Sequence, residues 1–168
     1  MREIPLTKGY VACVDDADFE QQSGFKWYAG VQRRANGSIW NVYAQRSTRT
    51  ADGHWTTIKL HRAILNAPAG MEVDHIDGDG LNNVDSNLRL ATIPQNRRNR
   101  RKPINARNRC KGTTKILRNA RPPTWRAQIM LNDKNIHLGY FETEEAAAAA
   151  YDRASLSLHV EFGRRNKT

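Results

Sequence analysis

The sequence predicts an α+β protein in two small modules: a β-rich N-terminal region leading into a strand, loop, strand and helix, then a small sheet backed by one helix. Three observations predict it. Only 39% of the 168 residues are hydrophobic, with four Trp and four Phe, which suits two small cores better than one large one. Charge divides the chain, with 10 Lys/Arg against 11 Asp/Glu in residues 1–96 and 17 against 6 in residues 97–168. Period-two alternation recurs along the chain, and one clear helical segment follows it near the C-terminus.

From Gly9 to Val14 and from Trp40 to Arg46, β-branched and aromatic residues alternate with small or polar ones, and Ala35-Asn36-Gly37-Ser38 is a turn. Residues 55–60 (Trp-Thr-Thr-Ile-Lys-Leu) are another strand, and His61 opens a short helix that Pro68 and Gly70 stop. Residues 97–111 contain eight Lys/Arg and no Asp/Glu, interrupted by Asn and Pro103; this predicts a basic linker, placed at 99–109 between modules 1–98 and 110–168. Trp125, Ala127, Ile129 and Leu131 share one face of a strand, Arg126, Gln128 and Met130 the other, and residues 132–135 form a hairpin turn. Residues 144–158 form the helix: Thr143 caps it, Glu144 and Glu145 complement its dipole, and five consecutive alanines favour it. Its stripe of Ala147, Tyr151, Ala154 and Leu158 packs on the Trp125 face, leaving the Arg126 and Gln128 face for a ligand.

A formal charge of +10, concentrated in the C-terminal part, points to an anionic polymer, most simply double-stranded DNA. No apolar run approaches the roughly 20 residues that cross a bilayer, and the N-terminus lacks a signal-peptide core. A cytoplasmic location is expected, with no membrane partner. Cys13 and Cys110 form no Cys-x-x-Cys pair and are read as reduced thiols.

The chemistry concentrates in Val73-Asp74-His75-Ile76-Asp77-Gly78-Asp79-Gly80-Leu81-Asn82-Asn83, followed by Asn87-Leu88-Arg89 and Gln95-Asn96. Asp74 and Asn96 offer oxygen ligands to a hard cation, and a neutral His75 can take a proton from water for attack on a phosphodiester. Asn99 competes with Asn96 for the second ligand. On spacing alone, a solvated turn shaped by Gly78 and Gly80 stays open. A calcium loop fails, because Leu81, Asn82 and Leu88 stand where its ligand, glycine and glutamate belong.

These residues, with His61-Arg62, resemble the HNH endonucleases, particularly phage-type homing enzymes, over about residues 55–100; Lys8-Gly9-Tyr10-Val11-Ala12 and Lys26-Trp27-Tyr28-Ala29 look like their leader. The resemblance implies a ββα-metal motif in which Asp74 and Asn96 bind one divalent ion, Mg²⁺ or else Mn²⁺, His75 activates water, and Asn87 fixes the loop that orients His75. His61 is implied as a secondary catalytic or phosphate-contacting residue.

Lys111-Gly112, Trp125-Arg126-Ala127-Gln128-Ile129, His137-Leu138-Gly139-Tyr140-Phe141 and Ala150-Tyr151-Asp152-Arg153-Ala154 resemble the Apetala-type DNA-binding domain of plant ethylene-response factors, over about residues 110–166. That implies a three-stranded antiparallel sheet on one helix, with Lys111, Arg126, Gln128 and His137 at DNA. Thr114, Ile116, Met130 and Asn135 stand where plant members place arginine, so the plant target sequence does not transfer. Arg97, Arg98, Arg100 and Arg101 would track phosphates without choosing bases.

Together these readings predict a metal-dependent DNA endonuclease of the phage homing type with a separate DNA-binding module, nicking one strand as a monomer or cleaving both strands as a dimer. The alternative is a non-catalytic, sequence-specific DNA-binding regulator with a degenerate HNH motif.

Overall fold

The computed structural model describes residues 1–99, 110–118, 121–132, 134–163 and 165–166. They form two compact units, Met1–Asn96 and Arg97–Thr168. Expectations for residues 100–109, Arg100 and Arg101 among them, lie outside the described residues.

The first unit opens on an antiparallel pair, β1 (Arg2–Pro5) and β2 (Val11–Val14), followed by α1 (Asp16–Gln22). Asp16 and Asp18 in the first turn of α1 complement its N-terminal dipole. A meander of β3 (Tyr28–Arg33), β4 (Ile39–Arg49) and β5 (Trp55–Lys59) comes next, ordered β3-β4-β5. The expected turn at residues 35–38 closes its first hairpin through Arg34 N–H to the Ser38 carbonyl, 2.9 Å.

Alternation along these strands decides where the site can be. Ala29, Val42 and Ala44 turn inward and pack with Ile4, Leu6, Ala12, Val14, Trp27 and Leu60 as the core. Gly30, in register with Tyr43, and Gln45, two residues further along β4, turn to the opposite face. Leu60 is fully buried and begins α2 (Leu60–Ile64), one residue earlier than the sequence suggested, because it packs in the core as the chain leaves β5. A β-hairpin of β6 (Glu72–His75) and β7 (Leu88–Ala91) then leads into α3 (Ile93–Asn99).

The second unit has β8 (Thr113–Arg118), β9 (Arg121–Leu131) and β10 (Lys134–Phe141) in an antiparallel sheet ordered β10-β9-β8, with α4 (Glu144–His159) against it. Thr143 caps α4 by accepting from Ala146 N–H at 3.1 Å. Ala127, Ala147 and Ala150 form the centre of the contact, with Trp125, Leu138 and Phe141 around them. The alanines thus serve close helix-to-sheet approach as well as propensity. The buried stripe follows Ala147, Tyr151, Ser155 and His159, while Ala154 and Leu158 are only half-buried. The expected stripe used a three-residue step where the observed one advances by four each time, so it drifts around the helix.

The outer face of β9 presents Arg126, Gln128 and Met130, as expected from alternation. A bulge between His137 and Gly139 brings Tyr140 opposite Arg126 and His137 opposite Gln128. His137 and Tyr140, three apart, therefore share the outer face, with ring centroids 4.8 Å apart. Gly139 takes φ +128° in that bulge, a conformation that disfavours any side chain. No helix among the described residues is long and apolar enough to cross a membrane.

Candidate functional site

The loop between β6 and β7 is built from its own side chains. Asn87 accepts from Asp77 N–H (3.0 Å) and donates to Asp77 Oδ1 (3.0 Å) and the Asn82 carbonyl (2.8 Å). Asp77 accepts further from Asp79 N–H (2.7 Å) and Asn82 Nδ2 (2.8 Å). Burial pushes the Asp77 carboxyl up, but these hydrogen bonds and the neighbouring His75 outweigh it and hold the group below its ordinary value. The alternating Asp77 and Asp79 are thus internal staples of the turn.

Contacts to β2 and β4 fix the loop to the rest of the first unit. Cys13 on β2 donates its N–H to the Leu81 carbonyl (2.9 Å), and its carbonyl accepts from Asn83 N–H (2.8 Å). Gly80 lies flat on β4: a Cβ there would sit 2.4 Å from the Val42 carbonyl oxygen and 2.5 Å from the Tyr43 ring.

His75 ends β6 on the face that looks toward β4 and α2. Its ring centroid is 4.8 Å from that of His61, edge-on, and 5.9 Å from that of Tyr43, with Tyr43 and His61 5.4 Å apart. Its Nε2 lies 3.3 Å from Asn83 Oδ1. Burial pushes the His75 imidazole below its ordinary pKa against the opposing pull of Asn83, Asp77, Asp74 and Asp79. Burial, with His75, Lys59 and Arg62 nearby, lowers His61 further, to about 2. Both rings are therefore neutral near pH 7, the state a base requires. Among the described residues His61 Nδ1 is buried without a hydrogen-bond partner.

Asp74 leaves β6 on the other face. It is buried and pairs with Arg89, directly across the hairpin, which donates Nε (2.8 Å) and Nη2 (2.6 Å) to Oδ2. Glu72 shares that face, about 7 Å along the strand, and accepts from Asn96 Nδ2 at 2.5 Å. Asn96 is held by a capping box: Thr92 N–H donates to Gln95 Oε1 (2.8 Å) and Gln95 N–H to Thr92 Oγ1 (3.4 Å), with the Asn96 amide on the Thr92 carbonyl (2.9 Å). Asp74, Glu72 and Asn96 are all-oxygen donors of the kind a hard divalent cation takes, so the residues fit such an ion. Arg89 is the cation it would have to share Asp74 with.

Asp74, His75, Asn87, Asn96 and His61, the five residues singled out from the sequence, all fall in this first unit. Glu72 was not among them, since its place beside Asn96 follows from the strand-pairing register and the helix start. Tyr43 was not either, because that side chain arrives from a remote strand. Asn99, the competing ligand, is buried in the second unit. Of the other expected DNA contacts, Arg97 and His137 are exposed, and Arg98, Arg126 and Gln128 half-buried. The Lys111 ammonium donates to the Arg98 carbonyl. Asp15, Asp18 and Asp85 form a separate carboxylate group, in which Asp15 accepts from Asp85 N–H at 2.8 Å.

The HNH endonuclease family model matches residues 66–98, which run from the end of α2 through the hairpin into α3. An uncharacterized HNH endonuclease of Acanthamoeba polyphaga mimivirus is 31% identical over 166 residues, covering 95% of this chain and 76% of the relative. No solved structure matches the chain. A hairpin carrying Asp74 and His75, the family match over it and the likeness along nearly the whole chain place this protein in the HNH endonuclease family, nucleases that hydrolyse DNA.

Proposed function

We propose that this chain is a divalent-metal-dependent DNA endonuclease whose active site is Asp74, His75 and Asn96 on a ββα-metal motif, with Asn87 holding the loop. The observation that carries the reading is a neutral, buried His75 at a strand end, next in sequence to a carboxylate on a face of oxygen donors. Asp74 and Asn96 would hold the ion, Mg²⁺ or Mn²⁺, with Glu72 orienting Asn96. Bound there, the ion supplies charge to the scissile phosphate as it turns more negative. His75 takes the proton from the attacking water, and the packed rings of Tyr43 and His61 keep its imidazole in one orientation. One such site per chain cuts one strand, and a monomer therefore nicks.

Two surfaces suit the duplex. Strands β3, β4 and β5 contain no Asp or Glu, so the acidic residues of the otherwise neutral first unit all lie elsewhere. Their site-side face runs from Lys59, whose ammonium is 4.6 Å from the Tyr43 ring, to exposed Thr57, Ser47, Arg49 and Trp55. That strip extends about 13 Å from Lys59 to Trp55. In the second unit, the outer sheet face with Arg126, Gln128 and His137 is the surface an Apetala-like module would lay in the major groove. The likeness to the mimivirus HNH endonuclease runs through this unit, and we read the unit as a separate DNA-binding module of a homing-type nuclease.

One observation favours a second reading, a DNA-binding regulator with a degenerate site: Arg89 neutralises Asp74 without any metal. Supercoiled plasmid incubated with Mg²⁺ or Mn²⁺, and in parallel with EDTA, separates the two. The nuclease reading expects metal-dependent conversion to open circles that Asp74→Asn and Asn96→Ala abolish. Tight duplex binding with no cleavage of plasmids carrying the gene's own flanking sequence would favour the regulator.

A further inference from the structure

Asn83 is fully buried, and neither end of its side chain is interchangeable. Its Nδ2 donates to the Leu81 carbonyl at 2.9 Å. An amide nitrogen cannot accept, so the opposite end, facing His75 Nε2 at 3.3 Å, is the oxygen Oδ1. The backbone around it is fixed independently: Asn83 N–H donates to the Cys13 carbonyl on β2, and the Leu81 carbonyl that receives Nδ2 also receives Cys13 N–H. Flipping the amide would set a carbonyl oxygen against the Leu81 carbonyl in a site with no exposure to water, leaving both uncompensated.

The consequence falls on the imidazole. An oxygen can only accept, so the nitrogen facing it must carry the hydrogen. A neutral imidazole has a single N–H, and its position is dictated by the partner of one ring nitrogen.

We propose that Asn83 is a positioning residue that fixes His75 as the Nε2–H tautomer, making Nδ1 the atom that removes the proton from water. The inference rests on the reading of His75 as the base. In the step itself, the water O–H bond breaks and its proton forms a bond to Nδ1, giving an imidazolium whose Nε2–H keeps donating to Asn83 Oδ1. That contact, long at 3.3 Å for a neutral pair, shortens once the donor is charged. Asn83 touches neither water nor phosphate in this scheme and acts through His75.

Nitrogen-15 spectroscopy of the metal-free full chain at pH 7.5 tests the assignment without any cleavage. The expected spectrum gives His75 a protonated Nε2 and an unprotonated Nδ1, with the Nε2 proton slow to exchange. A protonated Nδ1 in the wild type overturns the proposal outright, and does so whether or not the chain cuts DNA. Absent cleavage with the expected tautomer would instead remove the nuclease reading. One variant completes the test: Asn83→Leu removes the acceptor oxygen at Nε2. Asn83→Leu should lose the slow Nε2 proton and lower kcat by about a hundredfold with KM little changed, as misorientation of a reacting group does. Equal kcat in Asn83→Leu and wild type would also overturn it.

Discussion

Arg89 places both Nε and Nη2 on one oxygen, Oδ2, of Asp74, at 2.8 and 2.6 Å. Their side chains are 13% and 5% exposed, so this is a buried pair. Removing one partner of such a pair typically costs about 3–5 kcal/mol, because the other charge stays buried. Arg89→Met should therefore lower stability by about 3 kcal/mol in EDTA. If Asp74 binds the ion, millimolar Mn²⁺ should restore more melting temperature to Arg89→Met than it adds to the wild type. Equal shifts in the two proteins would separate Asp74 from metal binding.

Gly80 should tolerate no side chain. With an added Cβ 2.4 Å from the Val42 carbonyl and 2.5 Å from the Tyr43 ring, either the loop or β4 must move. Overpacking of this kind costs about 1–3 kcal/mol. Gly80→Ala should show that destabilisation in urea denaturation and, because the same loop carries Asn82 and Asn83, a larger fall in cleavage than in DNA affinity. A stable, fully active Gly80→Ala would show that the loop does not need this approach.

Acid should destabilise the first unit through its histidines. Both His61, at about 2, and His75 sit below the ordinary 6.5 in the folded chain, so the unfolded chain takes up protons first as pH falls. The stability associated with the neutral rings is complete above pH 6.5 and drains below it, by at most about 1.4 kcal/mol per pH unit for each histidine. His61→Phe should make unfolding free energy less steep between pH 6.5 and 5 by about one proton, measured by urea titration across that range. An unchanged slope would place His61 in a wetter setting than its packing against His75 and Tyr43 implies.

The strip on β4 and β5 should bind phosphate. Log K falls with log salt by about 0.9 for every phosphate that the protein neutralises. Arg49→Gln and Lys59→Gln should each lower that slope by about one while leaving the metal-induced melting shift intact. Slopes equal to wild type in both variants would move the duplex away from this face.

The parts legible in the sequence were those governed by local chemistry. Thr143 and the glutamates announced α4, alternation announced the two faces of β9, and Asp74, His75, Asn87 and Asn96 declared themselves as residue types suited to metal and proton chemistry. Parts set by register or remote contact stayed hidden. The Asp74 and Arg89 pair depends on which residues face each other across the hairpin, and Glu72 on where Thr92 starts α3. Tyr43 enters from a strand more than thirty residues upstream. The buried row of α4 drifted to Ser155 and His159 because tertiary packing, and not residue hydrophobicity, selects it: Gly163, beyond the helix, lies close against Ser155. The clean face of β3, β4 and β5 was visible in principle as three strands without an acidic residue, but net charge taken over the whole of residues 1–96 averaged it away.

Everything proposed for the site depends on His75 performing chemistry and not merely supporting binding. The decisive comparison is of cleavage and duplex affinity on the same preparations of wild type and His75→Ala, with Mg²⁺ and with Mn²⁺. A general base at His75 requires affinity within a few-fold of wild type and cleavage reduced by about 10²–10⁴, the range such a base contributes. Nicking by His75→Ala at the wild-type rate, abolished by EDTA, would contradict it.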